Sequence, residues 1–294
     1  MIIWLASYPK SGNTMLRSLL SAYFFSDDGK YNFELIKNIK QFPTIELFEE
    51  LGVNISSDDE VIKSYIKVQE KFCKENSVQF LKTHSYLFNF YNKYPFTDLK
   101  KSLGVIYIVR DPRNVVTSFS KFSNYPLEKT CEFMINNMSF GGNIEYAKTG
   151  VRLGVNTAAE RTKVWIGNWA QNYQSWKSFK YQERYLLVKY EDLVKNTEKV
   201  FFDILKFIHK INNSKFILNK KKFMNVLEST SFKNMQKLEK KKSFQESKFD
   251  KKTGKKIPFF NYGPKNNWKD LLSIENKEKI EKAFFNEMNE LGYL

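Results

Sequence analysis

The stretch Met1-Ile2-Ile3-Trp4-Leu5-Ala6-Ser7-Tyr8-Pro9-Lys10-Ser11-Gly12-Asn13-Thr14-Met15 decides how this chain folds. Ile2 to Ala6 is a near-continuous β-branched and aromatic run, the pattern of a strand covered on both faces. From Thr14 to Phe25 the residues Met15, Leu16, Leu19, Leu20 and Tyr23 recur at i, i+3, i+4 spacing, which predicts an amphipathic helix. The turn between them, Tyr8 to Thr14, places hydroxyls, Lys10 and Gly12 at a helix N-terminus. There, backbone N–H groups and the helix dipole favour an anion. The nucleotide-triphosphate loop G-x-x-x-x-G-K-[ST] is absent, because Lys10 precedes Gly12. A plain strand-to-helix turn capped by Asn13 or Thr14 would carry the same residues.

Outward from this unit, Val78 to Leu81, Val105 to Val109 and Tyr185 to Val188 read as further buried strands. Asn114 to Phe122 and Val200 to Phe207 read as helices. Strands alternating with helices predict an α/β fold: a central parallel sheet with helices on both faces, in three layers. No repeat and no Pro/Gly/Ser linker divides the chain, so residues 1–294 read as one domain. From Lys233 to Lys256 apolar residues give way to Lys240-Lys241-Lys242, Lys251-Lys252 and Lys255-Lys256. Such a charge run is usually a solvated face. Because Pro258-Phe259-Phe260-Asn261-Tyr262-Gly263 follows, we expect a flexible lid over about 233–262.

Composition excludes more than it selects. With 294 residues, 42% hydrophobic and 27% charged, the chain is globular rather than disordered. The apolar runs are far shorter than the ~20 residues of a spanning helix, and no secretory signal is expected. Two cysteines, Cys73 and Cys131, without a Cys/His cluster argue against disulfide frameworks and structural zinc and for a reducing cytoplasm. A net charge of +16 invites nucleic acid, acidic membranes or phosphorylated ligands. The joint abundance of Lys, Asn, Ile and Phe fits coding bias equally well.

Two strand ends carry chemistry. Lys82-Thr83-His84 closes the second strand, where open parallel sheets bind ligands, and His84 beside a Lys is a candidate proton acceptor. The other histidine, His209, sits in the basic run Phe207 to Lys210 and reads as surface. Arg110, at the end of the third strand, offers a fork suited to phosphate oxygens. Ser118 lies eight residues on, along the following helix. An Arg110–Asp111 structural pair is the bland reading of the same residues.

Together these residues resemble the cytosolic-type sulfotransferases. Further matches follow in order: Gly167-Asn168-Trp169 through Trp176, Tyr190-Glu191-Asp192-Leu193, Thr230-Ser231-Phe232-Lys233, and Gly263 to Trp268-Lys269. The resemblance spans nearly the whole chain and implies a P-loop-like fold. It also implies a co-substrate, 3'-phosphoadenosine 5'-phosphosulfate, with adenosine 3',5'-bisphosphate (PAP) as product and no metal. By that resemblance Lys10, Ser11, Gly12, Asn13 and Thr14 hold the 5'-phosphosulfate end, and Arg110 and Ser118 the 3'-phosphate. Tyr190, Thr230, Ser231 and Phe232 belong to the nucleotide site, as do Phe260, Asn261 and Gly263. His84 is the base, with Lys82 and Lys10 stabilising charge around the transferring group.

Departures from the family pattern sharpen the reading. Met15 stands where an aromatic ring commonly packs on adenine. Asn261-Tyr262-Gly263 replaces an Arg-Lys-Gly, so Lys265 or Lys256 is expected to substitute. Lys269-x-x-x-Ser273-Ile274-x-x-x-Glu278 loosely matches the family's dimer motif, although a helix start at Ser273 accounts for it too; monomer and homodimer stay open. A small-molecule, carbohydrate, lipid or peptide acceptor is expected, shaped by aromatic segments such as Tyr86 to Tyr94 and Phe133 to Tyr146. Two rival classes fit less of the pattern. A nucleotide or small-molecule kinase would want Mg²⁺ ligands, and a basic nucleic-acid-binding protein leaves the His84 and Arg110/Ser118 pattern unexplained.

Overall fold

A computed structural model describes residues 1–73, 77–136, 138–140, 164–242, 244, 246–249, 256–261 and 263–294. Five parallel strands form the central sheet: Ile2–Ala6 (β1), Lys40–Gln41 (β2), Gln79–Thr83 (β3), Ser102–Val109 (β4) and Tyr185–Lys189 (β5). Their spatial order is β2-β3-β1-β4-β5, so β1 lies at the centre. The strands expected from sequence are present with ends shifted by a few residues. The two-residue β2 is too short to leave a periodic signal.

Alternation along β1 explains the layers. Ile2, Trp4 and Ala6 point into one apolar cluster with Trp169, Tyr173, Trp176 and Phe284. Ile3 and Leu5 point into another, with Leu16, Leu19, Leu20, Phe201 and Ile204. Every β1 residue is fully buried, which is why the run is continuous rather than alternating. The deep indole of Trp4 is satisfied, its Nε1–H donating to Ser102 Oγ at 2.8 Å. That bond draws Ser102 into β4 ahead of the apolar run that marks the strand in sequence.

Two helices leave the sheet directly toward one edge. Asn13–Phe25 (α1) follows β1, and Pro112–Ser123 (α2) follows β4. The start of α2 is built locally: Asp111 caps it through Arg113 N at 2.9 Å, and Pro112 occupies the first turn. Within the Lys-rich stretch, Phe232–Lys241 is helical, anchored by buried Met235, and Phe244 is 1% exposed in the second cluster. Lys251, Lys252 and Lys255 lie outside the described residues, as do residues 137 and 141–146 of the segment Phe133 to Tyr146. Among the described residues, no helix is long and apolar enough to cross a membrane.

Candidate active site

The carboxyl ends of β1, β3 and β4 open into one cavity of about 1060 Å³, room for a nucleotide together with a second ligand. At its centre is the turn after β1. Lys10 (φ 66°) and Gly12 (φ 103°) both adopt left-handed backbone, a shape that gathers successive N–H groups into an anion-binding nest. Gly12 is required twice over: its φ is strained for any side chain, and a Cβ would lie 2.3 Å from the Tyr190 ring. As the N-cap of α1, Gly12 has no side chain to cap with, so the amides of Asn13 and Thr14 are left for a ligand, while Met15 N donates to Gly12 O at 3.0 Å.

The side chains of this turn divide. Asn13 Nδ2 donates to Leu5 O at 2.9 Å and Ser7 Oγ at 3.2 Å, so its amide fastens the turn to β1. Ser11 is fully buried, with its hydroxyl lacking a partner. The Lys10 ammonium rests on the Phe122 ring at 3.9 Å, with Phe259 at 5.2 Å. Thr14 and Met15 line the cavity.

His84 stands just beyond β3 and is held from two sides. Its Nδ1–H donates to Ser7 O at 2.9 Å, which leaves Nε2 with its lone pair for the cavity. From behind, Asn172 Nδ2 donates to the His84 carbonyl at 2.9 Å while its Oδ1 accepts from Tyr107 OH at 2.7 Å. Burial, and then the neighbouring Lys82 charge, push the imidazole down to about 3, so the ring is neutral. Lys82 Nζ donates to Gln41 Oε1 at 3.0 Å. Burial lowers this ammonium to about 8, against the attraction of Glu246.

Across β1, Arg110 is 5% exposed, with its guanidinium 4.3 Å from the Tyr190 ring centre. Nη1 donates to Lys10 O at 3.2 Å, and Nε has no partner. The Arg110–Asp111 pair is not formed. Asp111 instead takes a bidentate fork from Arg113, which also reaches Glu281 Oε1 at 2.5 Å and Tyr293 O at 2.7 Å. The structural role thus falls to Arg113, and Arg110 lines the cavity with its Nε unpaired. Ser118 lines the same end, and Lys121, one turn later on α2, joins it.

The remaining expected residues close the nucleotide end. Thr230, Ser231, Phe232, Phe260, Asn261 and Gly263 all line the cavity. Gly263 is needed where it stands, since a Cβ would lie 2.2 Å from the Phe232 ring. The Thr230 hydroxyl is occupied by Val226 O at 2.7 Å. Of the two proposed substitutes for the missing cations, Lys265 is exposed and does not line the cavity, and the side chain of Lys256 lies outside the described residues. His209 is at the surface with Ser214 Oγ at 2.9 Å.

Two charged residues were missed in sequence. Arg17, three residues after Thr14, is 4% exposed; its Nη2 binds Ile39 O at 3.0 Å and its Nη1 binds Glu246 at 2.6 Å. Glu246, from the Lys-rich segment, also accepts from Thr14 Oγ1 at 3.3 Å. Burial would raise this carboxyl, but Arg17, Lys82 and its hydrogen bonds hold it at about 2. The helical phase of Arg17 relative to Thr14 was a usable signal. Glu246, in a lysine run, had none. Among the described residues, no three His, Cys, Asp or Glu side chains converge as metal ligands would.

Over residues 2–292 the sequence matches the sulfotransferase domain family. The chain belongs to that family. Sulfotransferase 2A1 of Macaca fascicularis is 22% identical over 288 residues, covering 97% of this chain and 83% of that protein. The fold resembles a mouse sulfotransferase, SULT7A1, solved in complex with PAP, at a TM-score of 0.57 and 20% identity, covering 98% of this chain and 84% of the other. It also resembles a retinol dehydratase solved with androsterone and PAP, at a TM-score of 0.56 and 15% identity, covering 98% and 80%. Among sulfotransferases this chain thus keeps the three-layer architecture, with a central five-stranded parallel sheet, at low identity.

Proposed function

We propose that this sulfotransferase moves a sulfuryl group from 3'-phosphoadenosine 5'-phosphosulfate to an acceptor hydroxyl or amine, with His84 as base. The observation that carries the reading is the neutral His84 ring, its Nε2 left for a cavity that also holds the α1 N-terminus, Lys82 and Arg110. The nest at Gly12 to Thr14 suits a 5'-phosphosulfate, and the half-used Arg110 fork with Ser118 suits a 3'-phosphate. Lys121 supplies a cation at that end in place of the missing Arg-Lys pair. Tyr190 and Phe232 offer rings to adenine, and Phe259 and Phe260 cover the nucleotide.

In the transfer, the acceptor oxygen forms a bond to sulfur as its proton passes to His84 Nε2. The bond from sulfur to the phosphate oxygen breaks, and the electron pair leaves on that oxygen. Lys10 and the nest amides offset the departing charge. Protein chemistry here is mostly positioning and charge stabilisation. An anion against Lys82 cancels the charge that helps depress His84, so binding raises the basicity of the ring when it is needed. Both cysteines are free thiols, and we place the enzyme in the reducing cytoplasm.

The test is a thermal shift with PAP followed by transfer of labelled sulfate. Stabilisation of about 2.7 kcal/mol is expected at a hundredfold excess over Kd. No shift at millimolar PAP would remove the donor assignment.

A further inference from the structure

We propose that the acceptor is a polyhydroxylated, saccharide-type molecule, seated on the β2 side of His84 among Gln41, Thr44, Glu46 and the Arg17–Glu246 pair. This rests on the sulfuryl-transfer reading above. The sheet order β2-β3-β1-β4-β5 divides the cavity. Arg110 and Tyr190, at the ends of β4 and β5, mark the nucleotide half. His84 follows β3, so an acceptor reaching Nε2 from the opposite half meets β2 and the Ile45–Glu49 helix that follows it.

That half is polar. Gln41 already holds Lys82 through Oε1, Thr44 precedes the short helix, and Glu46 lies in its first turn. Arg17 and Glu246 form a 2.6 Å pair next to them, and Arg17 Nε is buried without a partner. A carboxylate offers about four lone-pair sites, of which Arg17 and Thr14 use two. Hydroxyls of a sugar can both donate to Glu246 and accept from Arg17. A flat apolar acceptor would cover the remaining Glu246 lone pairs and the Thr44 and Glu46 side chains without supplying hydrogen-bond partners, the kind of mismatch that polar sites reject most strongly.

Of the aromatic segments expected to wall the acceptor, Tyr86 to Tyr94 packs elsewhere. Phe88 and Phe96 are 4% and 0% exposed, packed with Tyr65 and Trp4 in the core, and none of Tyr86 to Tyr94 lines the cavity. Among the described lining residues, the rings are Phe119 and Phe122 on α2, then Tyr190, Phe232, Phe259 and Phe260; Tyr190 faces Arg110 and Phe122 lies against Lys10. The apolar lining on the acceptor side is aliphatic, from Ile39, Leu47, Val164 and Ile166. Among the described lining residues from Gln41 to Leu47, a phenol or tyrosyl side chain therefore finds no ring to stack on.

The experiment incubates the full chain and sulfur-35-labelled donor with a glycan array. In parallel it is offered 2-naphthol, dehydroepiandrosterone and a tyrosine-containing peptide, and PAP affinity is measured by calorimetry. Labelled glycans are expected, with naphthol, sterol and peptide turnover at least about tenfold lower. Thr44→Val should raise the saccharide KM several-fold and leave the PAP Kd unchanged. The inference is overturned if naphthol, sterol or peptide is preferred, or if no glycan is labelled while PAP still binds. Absence of PAP binding overturns the sulfuryl-transfer reading itself, and this inference with it.

Discussion

Replacing Arg110 by Ala should weaken PAP far more than 5'-AMP, which has the same adenine, ribose and 5'-phosphate but no 3'-phosphate. The guanidinium is 5% exposed, gives Nη1 to Lys10 O, and keeps Nε unpaired. A buried fork with an unspent donor is suited to one or two charge-assisted bonds, each contributing roughly 1.5–3 kcal/mol. One such bond corresponds to about 10- to 150-fold in Kd. Loss of the Lys10 contact loosens the turn for both ligands alike, so the ratio of the two affinities isolates the 3'-phosphate. Calorimetry at fixed ionic strength should show the PAP/5'-AMP preference falling by at least about tenfold, with Arg110→Lys intermediate because a point charge cannot form the fork. An equal loss for both nucleotides would refute the assignment and make Arg110 a residue that merely braces the turn.

Four other perturbations probe the same geometry. His84→Ala should abolish turnover and keep PAP affinity; near wild-type kcat across pH would show that another group takes the proton. Asn172→Leu removes the amide behind His84 and should lower kcat with little change in PAP Kd, a split that simple unfolding would not produce. Lys82 is charged below about 8 and loses its proton as pH rises through that value, so kcat/KM should fall on the alkaline side with an apparent pKa near 8. Lys82→Arg should carry that limb beyond pH 10, and a limb that does not move belongs to a different group. Gly12→Ala forces a Cβ against Tyr190 at 2.3 Å on left-handed backbone, and thermal melts should show lower stability together with weaker PAP binding.

How much of this was legible in sequence depended on what each residue type signals. β1, β3, β4 and β5 announced themselves because strands buried on both faces are unbroken apolar runs. Gly12, Lys82, His84 and Arg110 were legible because they fall where strands end. β2 was invisible, since two residues carry no period. Its absence from the sequence reading also hid Gln41 and the polar acceptor half. Glu246 was masked by the lysines around it, and its partner Arg17 by the apolar stripe of α1. The aromatic runs misdirected: Tyr86 to Tyr94 looks like a ligand wall, yet Phe88 packs against Tyr65 and Phe96. Composition alone cannot separate a core ring from a lining one.

The central claim is that the carboxyl ends of β3, β1 and β4, between His84 and Arg110, bind the donor nucleotide in one orientation. A crystal structure of the protein grown with PAP tests it most directly. The account predicts the 5'-phosphate on the backbone amides of Gly12 to Thr14, the 3'-phosphate on Arg110 and Ser118, adenine between Tyr190 and Phe232, and His84 Nε2 open to the acceptor half. PAP bound elsewhere, or reversed so that its 3'-phosphate faces His84, would contradict it.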